Sequence, residues 1–144
     1  MVKLDQKLVD RIKNLQMVYT NRCQPELLIQ IPNDYPDIWR KVVHITDEFT
    51  SVCPLNPSQP DHARIIIEFE PEDYLVELKS LKFYLTSFRQ VLIFHEEAPA
   101  IILKDLVGIL GDINLTVVGE FTVRGGLHTT VTAINIGWED SEDE

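Results

Sequence analysis

The sequence predicts an α+β domain in which two pairs of strands flank two helices, in the order ββααββ, behind an N-terminal helix. Three observations carry this reading. In residues 64–70, Ile65, Ile67 and Phe69 alternate with Arg64, Glu68 and Glu70, the period-two pattern of a half-buried strand, with Ile66 the exception. Leu81, Tyr84, Leu85 and Phe88, and further on Ile101, Ile102, Leu106 and Leu110, recur at helical spacing. Gly125-Gly126, set between two apolar runs, suits the positive φ angles of a tight hairpin turn.

The other elements fit around these. From residue 3 to 22, Leu4, Leu8, Ile12, Leu15 and Val18 or Tyr19 return every three or four positions with charges between them, which predicts an amphipathic helix. Residues 27–31 and 39–46 read as strands separated by a proline-punctuated turn at 32–36. Residues 49–61, with Pro54, Pro57 and Pro60, read as a proline-rich loop. After a turn at 71–73 the chain is briefly extended at 75–78 and then helical. A second helix covers 95–110 and ends at Gly111, and the last two strands are 113–123 and 127–136. The expected organisation is an N-terminal helical extension (1–25), one globular domain (26–138) and an acidic disordered tail (139–144).

Composition narrows the class. At 144 residues and 44% apolar, the chain suffices for one domain with a real core. It has no apolar run long enough for a bilayer and no apolar leader, so a cytoplasmic protein without a membrane partner is expected. In a reducing compartment Cys23 and Cys53 are expected to stay unpaired, and Cys23 to have no chemical role. His44, His62, His95 and His128 show no metal-ligand spacing, so no metal is expected. A net charge of −10 opposes direct binding of nucleic acid, although five acids of the tail supply half of that excess. A four-stranded sheet left alone would expose two unpaired edges, which favours a homo-oligomer.

Several side chains admit two readings from the sequence alone. Cys53, beside Pro54 on a polar connection, is either an inert small hydrophobe or a partly exposed thiol able to ionise. Asp61 is either a turn aspartate after Pro60 or an acid with a task. His95-Glu96-Glu97 places favourable charge at a helix start, or a ligand anchor. Lys79, Lys82 and Arg124 are solvated surface charge, or a basic cluster in an acidic background. Arg89 suits either structural or cofactor work.

Four blocks occur together and in order: Phe49-Thr50-Ser51-Val52-Cys53-Pro54 with Gln59-Pro60-Asp61; Glu77-Leu78-Lys79-Ser80-Leu81-Lys82-Phe83-Tyr84-Leu85; Ser87-Phe88-Arg89 with Phe94-His95-Glu96; and Phe121-Thr122-Val123-Arg124-Gly125-Gly126. In this combination the chain resembles the NADPH-dependent 7-cyano-7-deazaguanine reductases, the nitrile reductases of queuosine biosynthesis, over residues 27–136. The resemblance implies a tunnelling fold: an antiparallel ββααββ sheet with two helices on one face, whose subunits join into a ring-shaped barrel with active sites between them.

It also implies roles. Cys53 is the nucleophile that captures the nitrile carbon of 7-cyano-7-deazaguanine as a thioimide, and Asp61 the general acid, which needs a partly apolar setting to hold a proton at neutral pH. His95 bonds the substrate or assists proton movement. Val76, Glu77, Leu78 and Glu96 recognise the base, with the Glu96 carboxylate matched to neighbouring N–H donors of a guanine-like edge. Lys79, Ser80, Lys82 and Arg124 meet the phosphates of NADPH. Glu97 is left without a role.

The sequence departs from the family at two places. The family runs Cys-Pro-x-Thr-Gly-Gln-Pro-Asp, whereas Cys53 to Asp61 is one residue longer and lacks the glycine; and Leu78 stands where many members have serine. Two other activities share parts of this pattern: an archaeosine-type amidinotransferase acting on the same nitrile in tRNA, and a non-catalytic ligand-binding ring. The first lacks the Glu-x-Lys-Ser-x-Lys block present at Glu77 to Lys82, and the second predicts loss of the nucleophile or acid.

Overall fold

The computed structural model describes residues 4–137, and its strands lie where apolar side chains alternate. The elements are α1 (Gln6–Lys13), β1 (Gln30–Pro32), β2 (Val42–Cys53), β3 (Asn56–Phe69), β4 (Tyr74–Val76), α2 (Leu78–Thr86), α3 (Ala98–Leu110), β5 (Leu115–Arg124) and β6 (Leu127–Asn135). Short 3-10 turns occupy Pro25–Leu27 and Ser87–Gln90. Strands β2, β3, β5 and β6 form one antiparallel sheet in that order, and β1 pairs with β4 in a separate antiparallel ribbon.

One face of the sheet is the core. Phe49, Ile65, Ile67, Phe69, Leu115, Val117 and Phe121 point to it and meet Leu81, Tyr84 and Leu85 of α2 and Ile102, Leu106 and Leu110 of α3. Each such side chain stabilises the fold by about 1.5–3 kcal/mol on burial. The Tyr84 hydroxyl donates to Asp105 Oδ2 at 2.6 Å, tying α2 to α3. Burial first, and then this bond, push the Tyr84 hydroxyl far above its ordinary pKa, so it remains a donor. The opposite face leaves Val43, Ile45 and Ile134 exposed, and β2 and β6 are the two edges of the sheet. Among the described residues no helix is long and apolar enough to cross a membrane.

Three expectations are corrected. The N-terminal helix ends at Lys13, well short of residue 22. Beyond it, side chains bond to nearby backbone instead of allowing helical bonds: Thr20 Oγ1 donates to Arg22 O, and Gln24 Nε2 donates to Val18 O. The second core helix starts at Ala98 rather than residue 95, with Pro99 in its first turn, where a missing N–H is harmless.

The third correction matters most for chemistry. The proline-rich stretch is not a loop; β2 and β3 run through it as a long hairpin, turning only at Pro54 and Leu55. Its prolines are tolerated because β5 pairs with β3 only from Ala63 onward. The Pro60 carbonyl faces that open side, where it accepts from Arg124, so the missing N–H of Pro60 removes no ladder bond. The described residues stop short of the acidic tail expected at 139–144.

Candidate active site

The hairpin carries Cys53 and Asp61 to one end of the sheet. Cys53 closes β2 as a free, partly buried thiol. Asp61 sits in β3 directly across from Ser51, on the core-facing side, and is only 2% exposed. It is therefore a buried acid in a strand and not a turn residue.

His95 reaches this end because the chain leaving the Ser87–Gln90 turn docks beside β2. Val52 N donates to Val91 O and Ile93 N donates to Val52 O, both at 3.0 Å, and these bonds place residues 94–97 next to the hairpin end. His95 Nε2 lies 3.3 Å from Asp61 Oδ1. Arg124, at the end of β5, pairs with the same oxygen and donates to Pro60 O at 3.1 Å. A buried carboxylate is costly unless charge partners surround it, and these two groups are the partners.

Phe121, which the sequence reading did not single out, orients the histidine. The rings of His95 and Phe121 stack with centroids 4.1 Å apart and planes 11° from parallel. The signal for it was Gly119: a β-carbon there would come within 2.8 Å of the Phe121 ring and 3.0 Å of Pro99, so glycine leaves room for the ring to lie along the strand. Glu96 is exposed beside His95, and Glu97 Oε1 accepts from Phe94 N at 3.2 Å, a local turn bond.

The remaining site candidates cluster at the start of α2. Val76 is buried in β4. Glu77 caps the helix: one carboxylate oxygen accepts from Lys79 N and the other from Ser80 N, each at 2.7 Å. Ser80 is wholly buried, its hydroxyl donating to Glu77 O and accepting from Ile29 N. Lys79 Nζ donates to Ile12 O at 2.9 Å and Lys13 O at 3.2 Å, capping the C-terminus of α1, and sits over the Phe83 ring. Leu78 and Lys82 are exposed. Arg89 turns out to hold the N-terminal segment, donating to Tyr19 Oη at 3.1 Å.

Among the described residues no hydrogen bond or ion pair joins these two groups. From Leu78 to Gln90 the path is a nine-residue α-helix and a four-residue 3-10 turn. At about 1.5 and 2.0 Å of rise per residue, that path is roughly 20 Å long. Arg124 is likewise at the Asp61 end and apart from the two lysines with which it was grouped. A cavity of about 310 Å³ opens beside Leu78 and Lys82, with His44, Thr46 and Thr86 at its sides and Phe49, Ile65 and Ile67 at its floor. Lys82 is its cation and Glu48 its carboxylate, and the Thr86 hydroxyl already donates to Lys82 O at 2.8 Å.

An antiparallel sheet backed by two helices, with a free thiol near a buried, cation-flanked acid, defines a small α+β enzyme domain. The same architecture occurs in the crystal structure of the archaeosine synthase QueF-Like in its apo form, with a TM-score of 0.58 and 20% identity, over 69% of this chain and 94% of that one; this likeness concerns the fold. The model of the family described as QueF-like protein matches residues 60–139. Curated relatives carry the name NADPH-dependent 7-cyano-7-deazaguanine reductase. The one from Thermomicrobium roseum is 48% identical over 74% of this chain and 82% of its own length. That from Caldicellulosiruptor bescii is 49% identical over 78% and 85%, and that from Neisseria gonorrhoeae 41% over 83% and 75%. The chain belongs to the QueF-like protein family.

Proposed function

We propose that this protein is an NADPH-dependent 7-cyano-7-deazaguanine reductase, converting the nitrile to the aminomethyl group in queuosine biosynthesis. The observation that carries the reading is Asp61, 2% exposed and 3.3 Å from His95, at the same end of the sheet as the free Cys53 thiol. Relatives 41–49% identical over most of their length bear that name.

A nitrile carbon is a weak electrophile, and covalent capture solves this. The Cys53 thiolate forms an S–C bond, one C≡N π pair moves to nitrogen, and nitrogen takes a proton from Asp61, leaving a thioimide and a carboxylate. His95, stacked on Phe121 and bonded toward Asp61, replenishes that proton. Arg124 holds the carboxylate in place and stabilises it once it is ionised. Glu96, exposed at the same end, is free to accept two N–H donors of the base. NADPH, when bound, supplies the hydrides.

The start of α2 contributes Glu77, Leu78 and Val76 to the base and Lys82, with Lys79 and the Ser80 turn, to the cofactor phosphates. Because no bond joins it to the Cys53 end of its own chain, we assign it to the thiol of a neighbouring subunit. The ring-shaped homo-oligomer follows from this need as well as from the unpaired edges of β2 and β6. The deciding experiment mixes purified protein with 7-cyano-7-deazaguanine and NADPH and follows nicotinamide absorbance. Steady, nitrile-dependent loss is expected. An absence of NADPH oxidation, together with amidine formation from ammonia on nitrile-bearing tRNA, sinks the reductase reading.

A further inference from the structure

Ser51 is a buried polar residue with no task in the fold. It is 1% exposed, its hydroxyl oxygen has no hydrogen-bond partner, and it stands on β2 directly opposite Asp61 on β3. Residues so paired in an antiparallel ladder have β-carbons about 4.5–5.5 Å apart, within reach of one hydroxyl bond. Asp61 Oδ1 itself is held by Arg124 and His95. The Ser51 hydroxyl is thus a buried group with an unmade bond across the ladder from this acid and two residues from Cys53, a destabilising position for it.

We propose that Ser51 is a positioning residue for Asp61, holding the carboxyl through both halves of its proton cycle. A serine hydroxyl is a donor and an acceptor on a free rotor. It accepts the proton of the neutral acid before transfer, and after the nitrile nitrogen has taken that proton it donates to the carboxylate left behind. No other group around Asp61 has this reversibility without changing its own charge: Arg124 from β5 only donates, His95 from the segment before α3 must titrate to switch, and Cys53 at the end of β2 is engaged as nucleophile. A hydroxyl needs no proton exchange to follow the acid.

This inference rests on Asp61 being the proton donor, so its test begins with the wild type. Adduct formation between protein and 7-cyano-7-deazaguanine without NADPH is followed by intact mass at a series of pH values, with full turnover alongside. A wild type that neither forms adduct nor oxidises NADPH overturns the reductase reading and this inference with it. Given an active wild type, Ser51→Ala should slow adduct formation about tenfold, displace its pH profile, and leave the substrate KM within about twofold. Ser51→Thr, which keeps the hydroxyl on a residue suited to a strand, should restore both rate and profile. If Ser51→Ala changes only the melting temperature while its pH profile superimposes on the wild type, Ser51 is a packing residue and the inference alone fails.

Discussion

The two ends of this molecule use polar groups in opposite ways. At the hairpin end, Arg124 and His95 converge on one oxygen of a buried carboxylate, and the Ser51 hydroxyl across the ladder has no bond partner. At the start of α2, Glu77 and Ser80 are satisfied by the backbone, and the Lys79 ammonium by the last carbonyls of α1. The first arrangement is costly unless it does chemistry. The second is a well-made helix start that presents Lys82 and Leu78 outward. The proposed reductase reading gives the first end the proton chemistry and the second the cofactor, and it relies on assembly to join them.

Cys53→Ala should form no adduct and show no turnover, and Lys82→Glu, which reverses an exposed charge, should bind NADPH too weakly to turn over under ordinary conditions. If each site takes its thiol from one subunit and its lysine from the next, co-refolding the two variants in equal amounts regenerates about a quarter of the wild-type sites. Recovery of activity is expected; a mixture as inactive as its parents shows that each chain builds its own site. Next in size is Asp61→Asn, which should reduce adduct formation about a hundredfold or more while the base still binds, measured by intact mass and by ligand titration.

The architecture was legible because periodicity reports which face is buried. Ile65, Ile67 and Phe69 alternate as a strand must, and Gly125 and Gly126 do adopt positive φ angles of 54° and 82°. What escaped depended on neighbours distant in sequence. Pro57 and Pro60 lie inside a strand because the pairing of β5 with β3 ends at Ala63, and nothing near the prolines says so. Arg124 reads as one more surface cation until the register shift between Phe121 and Arg124 brings it to Asp61. The length of α1 was lost to competing bonds of Thr20 and Gln24, which periodicity does not see. Cys53, Asp61 and His95 were nameable only through the spacing of four blocks; Ser51 lay within one of them without a signal of its own.

The smaller predictions sharpen the comparison within α2. Lys82→Ala should raise the apparent NADPH constant about tenfold, with the difference shrinking at high salt, because one exposed charge-assisted contact is lost. Thioimide formation, which draws on the other end, should be unchanged in the same preparation.

Lys79, one turn away, should behave differently although it carries the same charge. Its ammonium already donates to Ile12 O and Lys13 O, so any phosphate must compete with two carbonyls and with the favourable placement of a cation at a helix C-terminus. Replacing it therefore removes less cofactor affinity and more anchoring of α1: Lys79→Ala should change the NADPH constant only about twofold to threefold, the low end of a net hydrogen-bond contribution of about 0.5–1.5 kcal/mol. The released segment should show itself in limited proteolysis as faster cleavage among residues 4–22, with the sheet core intact. Equal NADPH effects for the two lysine variants, with unchanged cleavage in Lys79→Ala, would mean that α1 yields its contacts to the cofactor. The start of α2 would then be as much an active surface as the hairpin end.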